Sequence, residues 1–214
     1  MAELRCESFA ERALVPAFIF FFQMLYPFAW VNRTDRAVAA AAGGCMLVRR
    51  DALAAAGGIA SIRGALIDDC ALARKLKTQG RISLELTHRV RSTRAYPAID
   101  DIRRMVSRSA YAQLGYSPLW LAGTIAGLGL TYLAPVGLAF FGGGLPQMLG
   151  ILTWMLMAVA FQPILRFYGR SPLWGLWLPL IALAYMVFTV DSAYQHARGR
   201  GGMWKGRVQA NISG

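Results

Sequence analysis

The sequence predicts a polar α/β domain followed by a transmembrane α-helical anchor, and three observations carry that expectation. The first is where charge falls. The 214 residues include 23 Lys/Arg and 11 Asp/Glu, yet none of these lies between residues 117 and 165. Residues 1–116 hold 17 basic and 10 acidic residues, whereas residues 117–190 hold only Arg166 and Arg170. The second is that the poorly charged region divides into three apolar stretches, and the third is a strand–helix alternation within the charged half. A wholly soluble globule is excluded by this asymmetry. Intrinsic disorder is excluded because the charged half is itself rich in apolar residues. The boundaries that follow are an apolar helix region at 1–36, an α/β part at 37–116, membrane helices at 117–192 and a basic tail at 193–214.

Taken in order, the run Leu14 to Val31 is dense in phenylalanine and interrupted by Pro16, Gln23 and Pro27. It is short for a membrane crossing, and its flanking Arg12 and Arg33 suit a helix lying in the membrane surface. A true crossing stays open as the alternative. Cys45 to Arg49 reads as a short strand, Asp51 as an N-cap, Ala52 to Ala56 as a helix and Gly57-Gly58 as its stop. A second unit has the same grammar: Asp68 and Asp69 open a helix with an apolar stripe at Leu72 and Leu76. Arg74, Lys75 and Lys77 occupy its later turns, matching the helix dipole, and Gly80 ends it. Ile82, Leu84 and Leu86 alternate as a strand. From Asp101 an amphipathic basic helix with Arg103, Arg104 and Arg108 runs toward Tyr116, with Asp100-Asp101 as its cap.

The three apolar stretches are Pro118 to Phe141, Leu145 to Leu165 and Pro172 to Val190, each long enough at about 1.5 Å per residue to cross about 30 Å of hydrocarbon. Orientation by basic residues puts the start of the first stretch in the cytoplasm, Gly142 to Gly144 outside, and Arg166 and Arg170 inside. Three full crossings then place Arg198, Arg200, Lys205 and Arg207 outside, against the positive-inside rule. Either one segment is re-entrant, broken at Pro135 or Pro163, or the tail is an exception.

A net charge of +12 invites nucleic acid as a partner, but the basic residues sit beside apolar spans, where anionic headgroups account for them. No nucleic-acid-binding signature accompanies them. Cys6, Cys45 and Cys70 are too scattered for a disulfide framework or a metal knuckle. His88 and His196 lie far apart with no Ser or Cys arrangement that would make a hydrolytic triad or a zinc site. An ion transporter is disfavoured because the uncharged spans offer no intramembrane carrier group.

The chemically informative feature is the pair Asp68-Asp69. Acids at a helix start serve as caps, and that reading stands beside a catalytic one, in which a carboxylate next to a membrane takes the proton of a lipid hydroxyl. The blocks Gly43-Gly44-Cys45-Met46-Leu47-Val48-Arg49-Arg50-Asp51 and Leu66-Ile67-Asp68-Asp69-Cys70-Ala71-Leu72 resemble the acceptor half of family 2 inverting glycosyltransferases. Tyr116-Ser117-Pro118-Leu119, Arg166-Phe167-Tyr168-Gly169 and Trp204-Lys205-Gly206-Arg207 extend the likeness to the membrane glycosyltransferases associated with hopanoid biosynthesis.

That resemblance implies a partial GT-A-type fold (its acceptor half), a nucleotide-sugar donor, a lipid acceptor, and a bacterial inner-membrane location with the polar part facing the cytoplasm. It makes Asp69 the general base and Asp68 its supporting acid. Gly43 and Gly44 match a small-residue turn near the ligands, with a plain tight turn as the alternative. Arg108 takes the place of a donor-diphosphate cation, although the Gln/Arg-x-x-Arg-Trp motif around it is reduced to Met105-Val106-Ser107-Arg108-Ser109; a headgroup contact is the other reading. Trp204 and Arg207 are a second source of an aromatic face and a cation. The family also implies a divalent Mg or Mn ion, whose Asp-x-Asp ligands do not occur in this sequence. The expectation is therefore a C-terminal portion whose donor half is missing or comes from a separate polypeptide, with a non-catalytic scaffold in a lipid-synthesis assembly as the alternative.

Overall fold

The computed structural model describes residues 1–204 and 207–208, with side chains through residue 202. Helix dominates. In chain order the elements are β1 (Ala2–Glu3), α1 (Phe9–Leu25), α2 (Phe28–Val31), α3 (Arg50–Ala55), α4 (Asp68–Lys77), β2 (Thr87–Arg91), α5 (Ile99–Ser107), α6 (Ala110–Gln113), α7 (Pro118–Leu128), α8 (Ala134–Phe141), α9 (Leu145–Phe167), α10 (Leu178–Ala197), β3 (Met203–Trp204) and β4 (Arg207–Val208). The chain divides into two units: Met1–Arg5 with Phe21–Ala95, and Cys6–Phe20 with the chain from Tyr96 onward.

In the first unit Val31, Ala40, Cys70 and Leu84 form a small buried core, covered by Met1, Phe22, Tyr26, Phe28, Val38, Ile67 and Ile82. α4 supplies Cys70, Leu72 and Ala73 to the interior and keeps Arg74 and Lys75 in solvent. The short α2 leaves carbonyls open at its end, and Lys77 closes them: its Nζ donates to Trp30 O at 3.4 Å, to Val31 O at 2.9 Å and also to Val38 O. Asn32 pins the next segment, donating to Leu84 O at 3.3 Å and accepting from Leu84 N at 2.7 Å.

The expected strands are the main correction. Cys45 to Arg49 is irregular, and Ile82 to Leu86 joins no ladder. Cys45 to Arg49 and Ile82 to Leu84 instead line an open groove of about 820 Å³. Alternation alone does not make a sheet when no neighbouring backbone satisfies the N–H and C=O groups. The sheet found lies just after the expected one: β2 pairs in parallel with β1. Glu3 braces the pair through Arg91 Nε at 3.1 Å and His88 Nδ1 at 3.0 Å. Helix α3 is present and stops at Gly57 and Gly58, whose φ of 87° and 66° favour glycine. Asp51 is not its cap; it lies in the first turn and pairs with Arg49.

In the second unit three helical segments are long and apolar enough to cross a membrane: Pro118–Phe141, Leu145–Phe167 and Pro172–Ala197. The expected apolar stretches are thus helical, the last two longer at their ends. Neither Pro135 nor Pro163 breaks a span. A π-helical turn, Gly129–Leu133, absorbs the first proline, and α9 runs on through the second;. α8 and α9 form a close antiparallel hairpin, since a methyl placed on Gly150 would lie 2.6 Å from Pro135 O.

α1 opens with a capping box, which the sequence pattern Ser8-x-x-Glu11 encodes. Ser8 Oγ accepts from Glu11 N at 3.1 Å, and Glu11 Oε2 accepts from Ser8 N and Glu7 N, both at 2.9 Å. The other oxygen of this fully buried carboxylate accepts from Tyr96 N at 2.7 Å. Further along, Leu14 O accepts from Tyr185 Oη at 2.9 Å and Phe20 meets the edge of Phe161 at 5.2 Å.

The basic amphipathic helix is realised as α5, which turns Ile102, Val106 and Ser107 inward and ends before α6. Asp101 caps it as expected, accepting from Ala98 N at 3.1 Å. Asp100 instead pairs with Arg103 and Arg104. The Arg103 hydrogen bond foremost holds the Asp100 carboxyl below the usual carboxylate range. A polar cluster ties α5 and α6 to α10. Ser107 Oγ donates to Phe188 O at 3.0 Å and to Asp191 at 2.7 Å, Tyr111 N donates to Ser192 Oγ at 3.0 Å, and Arg103 reaches Asp191.

Candidate active site

The acidic pair sits where the sequence places it, in the first turn of α4. No side chain caps that helix from the preceding residue, Ile67. The two aspartates perform the service locally: Asp68 Oδ1 accepts from Asp69 N at 3.0 Å and Asp69 Oδ1 from Cys70 N at 2.7 Å. Asp68 is exposed, Asp69 half-buried and Cys70 buried. Burial pushes the Cys70 thiol up, so it stays protonated and inert;.

The second oxygen of Asp69 reaches across to the glycine turn. Gly43 N donates to Asp69 Oδ2 at 2.8 Å. A methyl placed on Gly43 would lie 3.4 Å from that oxygen, so the glycine sits against the carboxylate with little room for a larger side chain. Gly44 has open space around its Cα and is exposed. The carboxylate therefore holds two backbone N–H bonds and keeps lone pairs for a further donor, since an ionised carboxylate offers about four acceptor positions. An acceptor fixed by rigid backbone and open to one side is a geometry that takes a proton from an incoming hydroxyl.

Of the sequence-predicted residues, then, Gly43 and Asp69 are in direct contact, with Asp68 and Gly44 beside them in the chain. Arg108 belongs to the other unit, where it follows the last turn of α5 and its N–H bonds Arg104 O at 3.2 Å. The backbones of Trp204 and Arg207 pair in an antiparallel turn, while their side chains, with Lys205 and Gly206, lie outside the described residues.

A scan against protein-family models matches residues 17–202 to glycosyl transferase family 21. The chain belongs to glycosyl transferase family 21. Membership in the family implies a sugar donor and an acceptor, and the three long apolar helices associate the protein with a membrane. It supports the glycosyltransferase expectation but assigns family 21 rather than family 2, and it does not extend to the hopanoid-associated subgroup. Neither the search of curated proteins nor that of solved structures returned a match.

The divalent ion that the resemblance implies finds no fit in this unit. Among the described residues no group of three or more His, Cys, Asp or Glu side chains converges, and both Asp69 oxygens already accept backbone N–H bonds.

Sequence reasoning missed two sets of residues. The sequence pattern makes Arg49 a strand end and Asp51 a cap, yet they form an exposed ion pair at the groove. The signal was their i, i+2 spacing, which is common and carries little information. Glu11 was also passed over, although the capping-box pattern around it was visible.

Proposed function

We propose that this family 21 chain is a membrane-bound inverting glycosyltransferase that moves a sugar from a nucleotide-sugar to the hydroxyl of a lipid, with Asp69 as the general base. The observation that carries this reading is the Gly43–Asp69 hydrogen bond, which holds a half-exposed carboxylate at a fixed point. The acceptor oxygen attacks the anomeric carbon as Asp69 takes its proton. The bond to the nucleoside diphosphate breaks with its electron pair leaving on the phosphate oxygen, and the anomeric centre inverts. A general base of this kind contributes about 10²- to 10⁴-fold. Asp68 keeps the helix start formed through its bond to Asp69 N.

The three helices long and apolar enough to cross a membrane support a lipid as the acceptor. A hopanoid or related polyprenyl-derived lipid, a bacterial inner-membrane location and a cytoplasmic site are the narrower parts of the proposal, and they rest on the sequence motifs quoted above. Arg108, Trp204 and Arg207 are proposed to contact the donor diphosphate or lipid headgroups.

One observation favours a second reading. Both Asp69 oxygens accept backbone N–H bonds, which is what a structural tether between the glycine turn and α4 would show. Asp69→Asn separates the two, because an amide oxygen still accepts one of those bonds but is not a base. Sugar transfer to lipid lost at unchanged membrane abundance supports catalysis; transfer retained supports the tether.

A further inference from the structure

The third apolar segment, Pro172–Ala197, has the length and composition of a crossing, but its contacts within the membrane unit describe a different path. Its two ends can be placed against helices whose direction is known. α7 leaves from Ser117, and the run to Phe141 is about 36 Å of helix. After the uncharged glycines 142–144, α9 returns antiparallel, which brings Phe167 back toward the level of Ser117. Two crossings are thereby complete.

The chain then turns at Gly169, whose φ is 59°, and retraces α9. Gln162 Nε2 donates to Pro172 O at 3.1 Å, a methyl on Gly175 would lie 2.8 Å from Ala158 O, and Trp154 Nε1 donates to Leu176 O at 3.0 Å. From Phe167 back to Trp154 is about 20 Å along the helix. The ascending arm therefore climbs part of the membrane as a short connector and a 3-10 helix, Pro172–Trp177. Six residues of 3-10 helix span only about 12 Å, too little for a crossing.

α10 then descends. Its middle lies beside the middle of the first span, with Met186 Cε 3.8 Å from a methyl placed on Gly129. Its end returns to the start of that span: Asp191 and Ser192 bond Ser107 and Tyr111, and His196 stacks on Tyr116 at 4.4 Å between ring centroids. Tyr116 is the residue next to the first N-cap, Ser117. The end of the last helix and the beginning of the first thus share one membrane level.

We infer that the third apolar segment is a re-entrant hairpin, with Pro172–Trp177 as its ascending arm and α10 as its descending one, so that the chain crosses the membrane twice and Arg198 and Arg200 emerge on the face that carries α5. Ser171 caps the foot of the ascending arm, accepting from Leu173 N at 3.4 Å, and the change of direction falls where the 3-10 turn passes into α10 at Trp177 and Leu178, rather than at Pro135 or Pro163. Irregular backbone at this depth is satisfied by Trp154 and Gln162, side chains of the same unit, as a hydrocarbon environment demands. The charge conflict disappears with it. Arg104, Arg108, Arg166, Arg170, Arg198 and Arg200 then face one leaflet, and the uncharged glycine turn faces the other;. This inference does not depend on Asp69 being a base.

Single cysteines test it in the full chain with the three native cysteines replaced by alanine, in sealed vesicles of both orientations treated with a membrane-impermeant maleimide. Arg104→Cys, Arg170→Cys and Arg200→Cys are expected to label from one face and Gly143→Cys from the other. Labelling of Arg200→Cys from the Gly143 face means a third full crossing and overturns the hairpin. Should the cysteine-free background fail to insert, the native sequence carries reporter fusions instead. Fluorescent-protein or alkaline-phosphatase fusions after Gly214 and within the turn at Gly143 are expected to give opposite results, and identical results overturn the inference.

Discussion

Gly43 N and Asp69 Oδ2 lie 2.8 Å apart and bind two segments that are 26 residues apart in the chain. A backbone N–H donates on one side and a carboxylate accepts on the other, and each half of the contact sets its own test. A methyl at Gly43 would stand 3.4 Å from the oxygen, which the turn absorbs by a small shift. Gly43→Ala is therefore expected to lower transfer moderately, and Gly43→Val, with branched methyls directed at the carboxylate, to abolish it. Transfer assays on membranes with equal protein content read the difference; equal activity in both variants would separate the turn from the site.

Glu11 is expected to matter for folding. Glu11→Ala removes the carboxylate partner of the Glu7, Ser8 and Tyr96 N–H groups, and of these the Tyr96 N–H is buried. A buried donor left unsatisfied costs about 1–3 kcal/mol, which is large against the stability of an ordinary domain. The measurement is thermal unfolding in detergent, with Glu11→Gln as the milder comparison because its amide oxygen keeps part of the network.

Much of the chain's organisation was legible beforehand. The three apolar spans, the starts of α3 and α4 to within a residue or two, the glycine stops and the acidic pair followed from period, caps and charge, which are local signals. The strands did not, because a strand exists only with a partner, and Cys45 to Arg49 and Ile82 to Leu86 have none among the described residues. The path of Pro172–Trp177 was hidden for a similar reason. Its direction is set by Trp154 and Gln162 on another helix, and apolar composition is the same for a crossing and a hairpin. At the candidate site, the acid and the glycine were each visible, whereas their contact was a tertiary fact.

Lys77 supplies a third prediction. Its ammonium closes the carbonyls of Trp30, Val31 and Val38, so Lys77→Met keeps the stem packing and removes only the donors. With hydrogen bonds from charged groups contributing about 1.5–3 kcal/mol and partial exposure reducing that, a loss of about 1–2 kcal/mol is expected. Protease susceptibility of the polar unit, compared with that of the unsubstituted chain, checks it; no change would mean that water replaces the ammonium without cost.

Thiol chemistry gives a fourth. Cys45 is exposed and Cys70 buried, and burial raises the Cys70 thiol above its ordinary value. A raised thiol remains protonated at pH 8, where alkylation proceeds through the thiolate. Maleimide or iodoacetamide at that pH is expected to modify Cys45 rapidly and Cys70 only on unfolding, as read by peptide mass mapping. Rapid native modification of Cys70 would contradict the packing of α4 against the Val31–Leu84 core.

The most direct test of the central claim is the rate of sugar transfer to lipid by Asp69→Asn, measured in membranes holding the substituted and unsubstituted proteins at equal abundance. A fall of about 10²-fold or more is expected, because the amide keeps a backbone contact and loses the base. A rate within a few-fold of the unsubstituted protein would contradict it and leave Asp69 as a tether between the glycine turn and α4.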